Sequence, residues 1–216
     1  IGPMTHSVED NALLLEVIAG PDNVDPRQKL CKPERYTQAL GKSVSGLKIA
    51  ILEEGLNQQD SDSAVDKKIL SAIDHYKTLG AEVDRVSVPM HLMGPVIFLP
   101  IAIRNLTDLM CAGGAHNTEG WYVPSMAEAS RRWMDHPNEL PHNVRIMLMA
   151  GKYLDNLEGY QVYTNAQNLK SQLRAHYDKL LLDYDLLVMP TVPTTAPELP
   201  PENSDSEVVM AHALGA

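Results

Sequence analysis

Cysteine and phenylalanine are scarce in this chain, which has two cysteines and one phenylalanine among its 216 residues. Cys31 and Cys111 lie far apart and form no Cys-x-x-Cys pair, so the sequence favours two reduced thiols over a disulfide framework or a metal centre. The eight histidines include no His-x-His and no His-Glu-x-x-His spacing, which leaves a catalytic zinc without a recognisable ligand set. We therefore expect neither a metal nor a cofactor.

Positive charge is also in short supply, since 18 lysines and arginines face 28 acidic residues and give a net charge of −10. Such a surface repels phosphate backbones and anionic lipid, and no run of basic residues offsets it. No uninterrupted apolar stretch approaches the roughly 20 residues that a membrane helix needs. The sequence thus predicts no nucleic-acid partner and no membrane, and reduced thiols without a signal-peptide pattern predict a cytoplasmic location.

An initiator methionine is missing as well. The chain begins at Ile1, and residues 2–5 (GPMT) are followed at once by the start of an amphipathic helix. We interpret this as a segment of a longer protein. With 44% apolar residues, the segment has enough material for a core of ordinary globular size.

The first periodic segment follows Ser7, which is a good helix N-cap because its hydroxyl can accept a backbone N–H. Apolar residues then recur at helical spacing until Gly20-Pro21 stops the helix, and we expect them to form one buried face: Val8, Ala12, Leu15 and Ala19. The segment 21–33 has no period and predicts a long surface connection.

A strand, a helix and a second strand follow this connection. The apolar run 46–52 predicts a strand, the spacing of Val65, Ile69 and Ile73 predicts a helix that ends at Gly80, and 82–88 predicts the second strand. Strands joined by a crossover helix are parallel, so the pattern indicates a layered α/β architecture.

The rest of the chain divides into two parts. Residues 91–158 are rich in methionine and interrupted by glycine, and we expect several short helices there that form a cap or insertion. A long helix over 159–182 then leads to 186–189 (LLVM), which is apolar at every position and predicts a central strand covered on both faces. We treat 1–216 as one partial domain, with 1–90, 91–158 and 159–216 as its parts.

Two motifs suggest ligands but fail on detail. Gly41-Lys42-Ser43 would need a glycine five residues earlier to form a phosphate loop, and Tyr36 occupies that position. Asp60, Asp62 and Asp66 lie close together, but a calcium loop requires other residues between them, so we interpret this stretch as a solvated loop before a helix.

The segments 2–22 (GPMTHSVEDNALLLEVIAGPD) and 184–193 (YDLLVMPTVP), with the strand-helix-strand block between them, resemble the amidase signature family. The resemblance implies an αβα sandwich around a mixed, largely parallel sheet. It also implies hydrolysis of a carboxylic amide to acid and ammonia by a serine, a second serine joined by a cis peptide, and a basic lysine. In the family those residues precede the Gly-Pro-Met segment, so we assign no catalytic residue in this chain.

The same resemblance implies that the loop after the last strand lines the substrate pocket, with Thr191 and Pro193 as candidate substrate-binding residues. The expected partner is a small-molecule amide, and the full-length protein is a possible homodimer. Glutamine-using amidotransferase members carry an arginine where 167–170 (QNLK) has Lys170, so a free-standing hydrolase is favoured over that alternative. A non-catalytic scaffold module of the same fold and an unrelated nucleotide-binding domain remain open.

Overall fold

A computed structural model describes residues 2–22, 24–25, 28, 31–59, 61–112, 123–196, 198–199 and 204. Within these ranges the chain forms helices that alternate with the strands of a small sheet. The α-helices are α1 (Val8–Ile18), α2 (Ser63–Thr78), α3 (Gly94–Ala112), α4 (Pro124–Ala129), α5 (His142–Glu158) and α6 (Gln161–Leu180). The strands are β1 (Lys48–Leu52), β2 (Glu82–Val86) and β3 (Leu186–Val188). Short 3₁₀ helices connect several of them.

The sheet is parallel throughout the described residues and has the strand order β2-β1-β3. β1 is its central strand, and residues 49–52 are almost completely buried because strands flank it on both sides. Ile49 and Ile51 join Leu56, Ile73 and Ala81 in the main hydrophobic cluster. The strand-helix-strand prediction is therefore confirmed, and the layered α/β fold class with it.

β3 differs from its prediction, because it lies at the edge of the described sheet and pairs with β1 alone. Leu186 is 45% exposed, so the expectation of a central strand covered on both faces is wrong for the part of the chain that the structure describes. An apolar run reports which faces a strand can bury, and it does not report how many strands flank it. Asp185 fixes the start of β3, since its carboxylate accepts the Lys48 N–H at 2.8 Å while its own N–H bonds Lys48 O at 2.9 Å.

The helix α1 begins as predicted, with the Ser7 hydroxyl accepting the Asp10 N–H at 3.0 Å. Its predicted buried face is wrong, because only Ala12 is buried and Val8 is 75% exposed. α1 packs on the short 3₁₀ helix Tyr36–Ala39, and there the Glu16 carboxylate accepts both the N–H and the hydroxyl of Thr37 at 2.7 Å. These two hydrogen bonds fix α1 on the short 3₁₀ helix, although several of its large apolar side chains are exposed.

The region after β2 differs in part from its prediction, since it contains two long helices, α3 and α5, in addition to short ones such as α4, where only short helices were expected. Pro100 lies inside α3, and prolines and glycines of this kind hide helical spacing in the sequence. Arg104 of α3 forms ion pairs with Asp108 of its own helix and with Asp155 of α5. These contacts join α3 to α5, and α3 also packs along α6.

Among the described residues, Pro89–Cys111 is the one helical stretch long and apolar enough to span a bilayer by length and composition, with a mean hydropathy of 1.3 in its most apolar window. The sequence predicted no membrane helix because it was searched for an uninterrupted apolar run, and polar residues interrupt the run in this segment. The most apolar window of this segment is 17% buried, and the segment contains Pro100 and the charged Arg104–Asp108 pair, which are costly inside a bilayer.

Candidate functional site

A cleft of about 500 Å³ opens at the carboxyl edge of the parallel sheet. Ligands of open α/β sheets bind at this edge, because the loops that follow the strands converge there. The residues that line the cleft come from the segment after β1, the start of the region after β2, and the loop after β3: Glu54, Leu56, Asn57, Gln58, Gln59, Leu92 and Pro193.

The turn that carries the three side-chain amides of the cleft has a fixed backbone. Asn57 has a φ of 51°, a left-handed conformation that asparagine tolerates better than most residues. The buried carboxylate of Asp66 on α2 accepts the Asn57 N–H at 2.9 Å and the Ser61 hydroxyl at 3.4 Å. These bonds to α2 therefore fix the conformation of the turn.

The segments after β1 and β3 approach each other closely at Gly55. A Cβ added there would lie 2.7 Å from Cβ of Met189, well inside van der Waals contact, so any side chain would separate the two walls of the cleft. A glycine at the end of the central strand is thus required by the fit of the neighbouring loop.

Among the described residues, Glu54 is the one charged residue in the lining of the cleft. Burial alone would raise the pKa of its carboxyl group, but hydrogen bonds from the Ser87 hydroxyl and from the Val88 N–H, the latter at 2.8 Å, outweigh burial and lower it. Glu54 is therefore ionised at neutral pH. It also ties the end of β1 to the segment after β2.

A second pocket of about 290 Å³ adjoins the cleft, because Gln58 and Leu92 line both. We call it the side pocket. Its remaining lining residues are His91, Gly94, Pro95, Leu173 and Tyr177. Nδ1 of His91 lies 2.6 Å from the Tyr177 hydroxyl, and the two rings meet edge to face.

The His91–Tyr177 pair is uncharged near neutral pH. Burial lowers the pKa of His91, and the charge of Glu54 opposes this only in part. Burial and the same nearby charge raise the pKa of the Tyr177 phenol. The pair therefore presents neutral hydrogen-bonding atoms to the pocket between the apolar walls that Leu92, Pro95 and Leu173 provide.

The loop after β3 is fastened to the first turn of α2. The Asp62 N–H donates to Pro193 O at 2.8 Å, and the Thr195 hydroxyl donates to the Asp62 carboxylate at 3.0 Å. The same carboxylate caps α2 through the Ala64 N–H at 2.9 Å, and these bonds, that of Ala64 first, lower the pKa of Asp62. One aspartate thus positions both the helix and the loop.

The structure places the two predicted substrate-binding residues differently. Pro193 lines the cleft, whereas Thr191 is exposed in the same loop and is not part of the lining. Lys170 is exposed on α6, one turn before Leu173 of the side pocket. Direct contact of Thr191 and Pro193 with a substrate stays a prediction.

The chemistry that this wall offers is binding. In the part of the chain that the structure describes, the residues that line the cleft and the side pocket include no serine, cysteine or lysine. Among the described residues, no group of three or more His, Cys, Asp or Glu side chains is placed to hold a metal ion. The described wall can hydrogen-bond and orient a ligand.

Comparison with known proteins identifies the family. A family model described as Amidase matches residues 1–214. The chain belongs to the amidase family. An enantioselective amidase from Rhodococcus rhodochrous is 36% identical to it over 205 residues, which cover 93% of this chain and 40% of that protein. The A-type subunit of the glutamyl-tRNA(Gln) amidotransferase from Staphylococcus haemolyticus is 29% identical, covering 99% of this chain and 44% of that protein.

Solved structures show that the amidase chain has the fold of amidase signature proteins. A bacterial aryl acylamidase of that family matches with a TM-score of 0.72 and 22% identity, over 94% of this chain and 39% of that one. The A-type subunit of the Thermotoga maritima glutamyl-tRNA(Gln) amidotransferase matches with a TM-score of 0.63 and 23% identity, over 98% of this chain and 41% of that one. This amidase segment thus spans less than half the length of these relatives.

Sequence reasoning missed three residues of the amidase cleft and its side pocket: Glu54, His91 and Tyr177. Glu54 could have been found, because it follows the buried strand β1 at the edge where ligands bind. His91 and Tyr177 are 86 residues apart, and no local pattern shows that they meet.

Proposed function

We propose that the complete protein containing these 216 residues hydrolyses a carboxylic amide to a carboxylic acid and ammonia. The family match over residues 1–214 carries this proposal, and the similarity to an enantioselective amidase supports it. These residues contribute part of the sheet and one wall of the cleft. The protein is further proposed to be cytoplasmic, to act without a cofactor, nucleic acid or membrane, and to form a homodimer.

In the proposed reaction the family's serine oxygen attacks the amide carbonyl carbon. Its proton passes through the second serine to the lysine, which acts as the base. The C–N bond then breaks, the nitrogen leaves with a proton as ammonia, and water releases the acid from the acyl-enzyme. The wall of the cleft orients the substrate, since Asn57, Gln58 and Gln59 offer both donors and acceptors. Orientation alone lowers the barrier substantially, because it removes the entropy cost of aligning the reactants.

A second candidate is the A-type subunit of a glutamine-using amidotransferase, which the Staphylococcus and Thermotoga relatives favour. Lys170 argues against it, because an ammonium lacks the bidentate fork with which arginine grips a carboxylate. A non-catalytic scaffold with the same fold is the third candidate. Glutaminase activity of the complete protein would favour the second candidate, and no turnover of any amide would favour the third.

The decisive experiment measures ammonia release from a panel of simple amides and from glutamine. We expect the complete protein to hydrolyse simple amides in preference to glutamine, and the isolated 216-residue chain to remain at the buffer blank. Turnover by the isolated chain would show that the nucleophile lies within it and would overturn the proposed division of labour.

A further inference from the structure

The charge of Glu54 has no cationic partner among the described residues. Its carboxylate accepts hydrogen bonds from two neutral donors, the Ser87 hydroxyl and the Val88 N–H, and it forms no ion pair with a lysine or arginine in that part of the chain. His91 is close enough to interact with it, and burial, opposed in part by the charge of Glu54, lowers the pKa of the imidazole. A carboxylate accepts at about four lone-pair positions, so Glu54 retains capacity for another donor.

Glu54 is part of the lining of the cleft, and its two carboxylate oxygens each accept one hydrogen bond from the segment after β2. The other lining residues that the structure describes are the neutral amides Asn57, Gln58 and Gln59 together with apolar side chains, and none of these is basic. A partly desolvated anion gains free energy when a cation approaches it, whereas a second anion would be repelled. The cleft therefore favours a cationic group on its ligand and disfavours a carboxylate.

The side pocket has the opposite character. Leu92, Pro95 and Leu173 form apolar walls, and the His91–Tyr177 pair is uncharged. Its volume of about 290 Å³ is close to the lower limit of about 300 Å³ for ligand pockets in general, which suits one ring or branched alkyl group. Because the side pocket and the cleft share Gln58 and Leu92, a single small molecule can occupy both.

We propose that this site selects amides of α-amino acids with apolar side chains, the substrate's ammonium group pairing with Glu54 and its side chain entering the side pocket. The proposal rests on the proposed function, since it names the substrate class of the same cleft. It assigns Glu54 a specificity role in addition to its structural bonds to Ser87 and Val88.

The test compares two amides that differ by one group, phenylalaninamide and hydrocinnamamide, which lacks only the amino group. The complete protein is assayed near pH 7, below the ordinary pKa of about 7.7 for an α-amino group. We expect kcat/KM to favour phenylalaninamide by about tenfold or more, as charge-assisted hydrogen bonds allow. In Glu54→Gln the preference should fall to about threefold or less, because the amide retains the shape and loses the charge.

Glu53→Gln is the matched control. It removes the same charge at the neighbouring position, where the side chain is exposed and lies outside the described lining of the cleft. It should keep the wild-type preference. A preference that is equal in wild type, Glu53→Gln and Glu54→Gln would overturn the proposal while leaving amide hydrolysis intact. Circular dichroism confirms that each variant is folded.

Two further measurements separate the possible failures. If wild type turns over neither amide, the proposed function fails, and calorimetric binding of the two amides then tests the selectivity of the site alone. Stronger binding of phenylalaninamide that Glu54→Gln abolishes would support the proposed selectivity. Equal binding of the two amides would reject it. If Glu54→Gln does not fold, the pH profile of wild type decides, because the preference must disappear as the pH rises above about 7.7 and the amine loses its proton.

Discussion

Gly151 of α5 shows how a single residue sets the packing between two helices. The Thr107 side chain of α3 is 1% exposed, and its hydroxyl donates to Ile103 O at 2.8 Å. A Cβ at position 151 would overlap the Thr107 Oγ1 and lie 3.0 Å from its Cβ. The helices can approach to this distance only because position 151 has no side chain.

We expect Gly151→Ala to destabilise the fold by about 1–3 kcal/mol, the usual cost of overpacking, although alanine is the better helix former. Chemical denaturation measures this free energy of unfolding. Gly94→Ala is the control, since a Cβ there meets nothing within 4 Å. The double variant Gly151→Ala with Thr107→Ala should recover part of the loss; a loss that stays the same would locate the strain elsewhere.

At the residue scale, features with a local cause could be predicted from the sequence, and features with a distant cause could not. Ser7 and Asp62 were open to prediction, because a cap acts on the N–H groups two or three residues ahead. The pairing of His91 with Tyr177 and the demand for glycine at position 55 depend on segments far apart in the chain. The side-chain geometry of the cleft is therefore a property of the tertiary structure, and sequence spacing alone could not give it.

At the scale of elements, the link between α2 and the loop after β3 joins the two halves of the parallel unit. Asp62 contributes to both through the Ala64 N–H, the Pro193 carbonyl and the Thr195 hydroxyl. The sequence predicted the strands and α2 because their apolar spacing is regular, and it missed the length of α3 because Pro100 interrupts that spacing. It predicted β3 as a strand, but β3 lies at the edge of the described sheet and not at its centre, because strand order follows from packing.

We expect Asp62→Ala to lower the melting temperature at pH 7, because it removes the helix cap and the loop contact together. Thr195→Val removes only the side-chain bond between the loop and Asp62 and should have a smaller effect. The bond from the Asp62 N–H to Pro193 O is main chain to main chain and is retained in both variants. A carboxyl group whose folded pKa is lowered stabilises the fold above its unfolded pKa, and this stabilisation is lost as the pH falls through the folded value. The difference between Asp62→Ala and wild type should therefore shrink in acid. A difference that is independent of pH would assign the effect to the helix propensity of alanine.

At the scale of the whole molecule, large apolar side chains remain exposed on several helices. Val17 of α1 is 77% exposed, Phe98 of α3 67%, and Met149 of α5 71%. Exposed apolar surface of this extent is typical of faces that another part of a protein covers. The relatives are more than twice as long as this chain, and we propose that these faces are covered in the complete protein.

The isolated 216-residue chain should therefore self-associate, and substituting lysine at Val17, Phe98 and Met149 together should reduce this. Light scattering and binding of a hydrophobic dye provide the measurement. Leu199→Lys is the control, since Leu199 is 93% exposed and lies outside the helices and strands. In the complete protein the triple variant should be less stable than wild type; unchanged stability would mean that these faces stay open to solvent.

The hydrogen bonds between the loop after β3 and Asp62 allow binding in the cleft to be detected at α2. A ligand that restrains Pro193 also restrains the first turn of α2, because Pro193 O accepts the Asp62 N–H. The amide protons of that turn exchange with solvent at a rate set by how often the turn opens. Occupancy of the cleft should thus be readable as slower deuterium uptake at Ala64 and its neighbours, without a label on either substrate or loop.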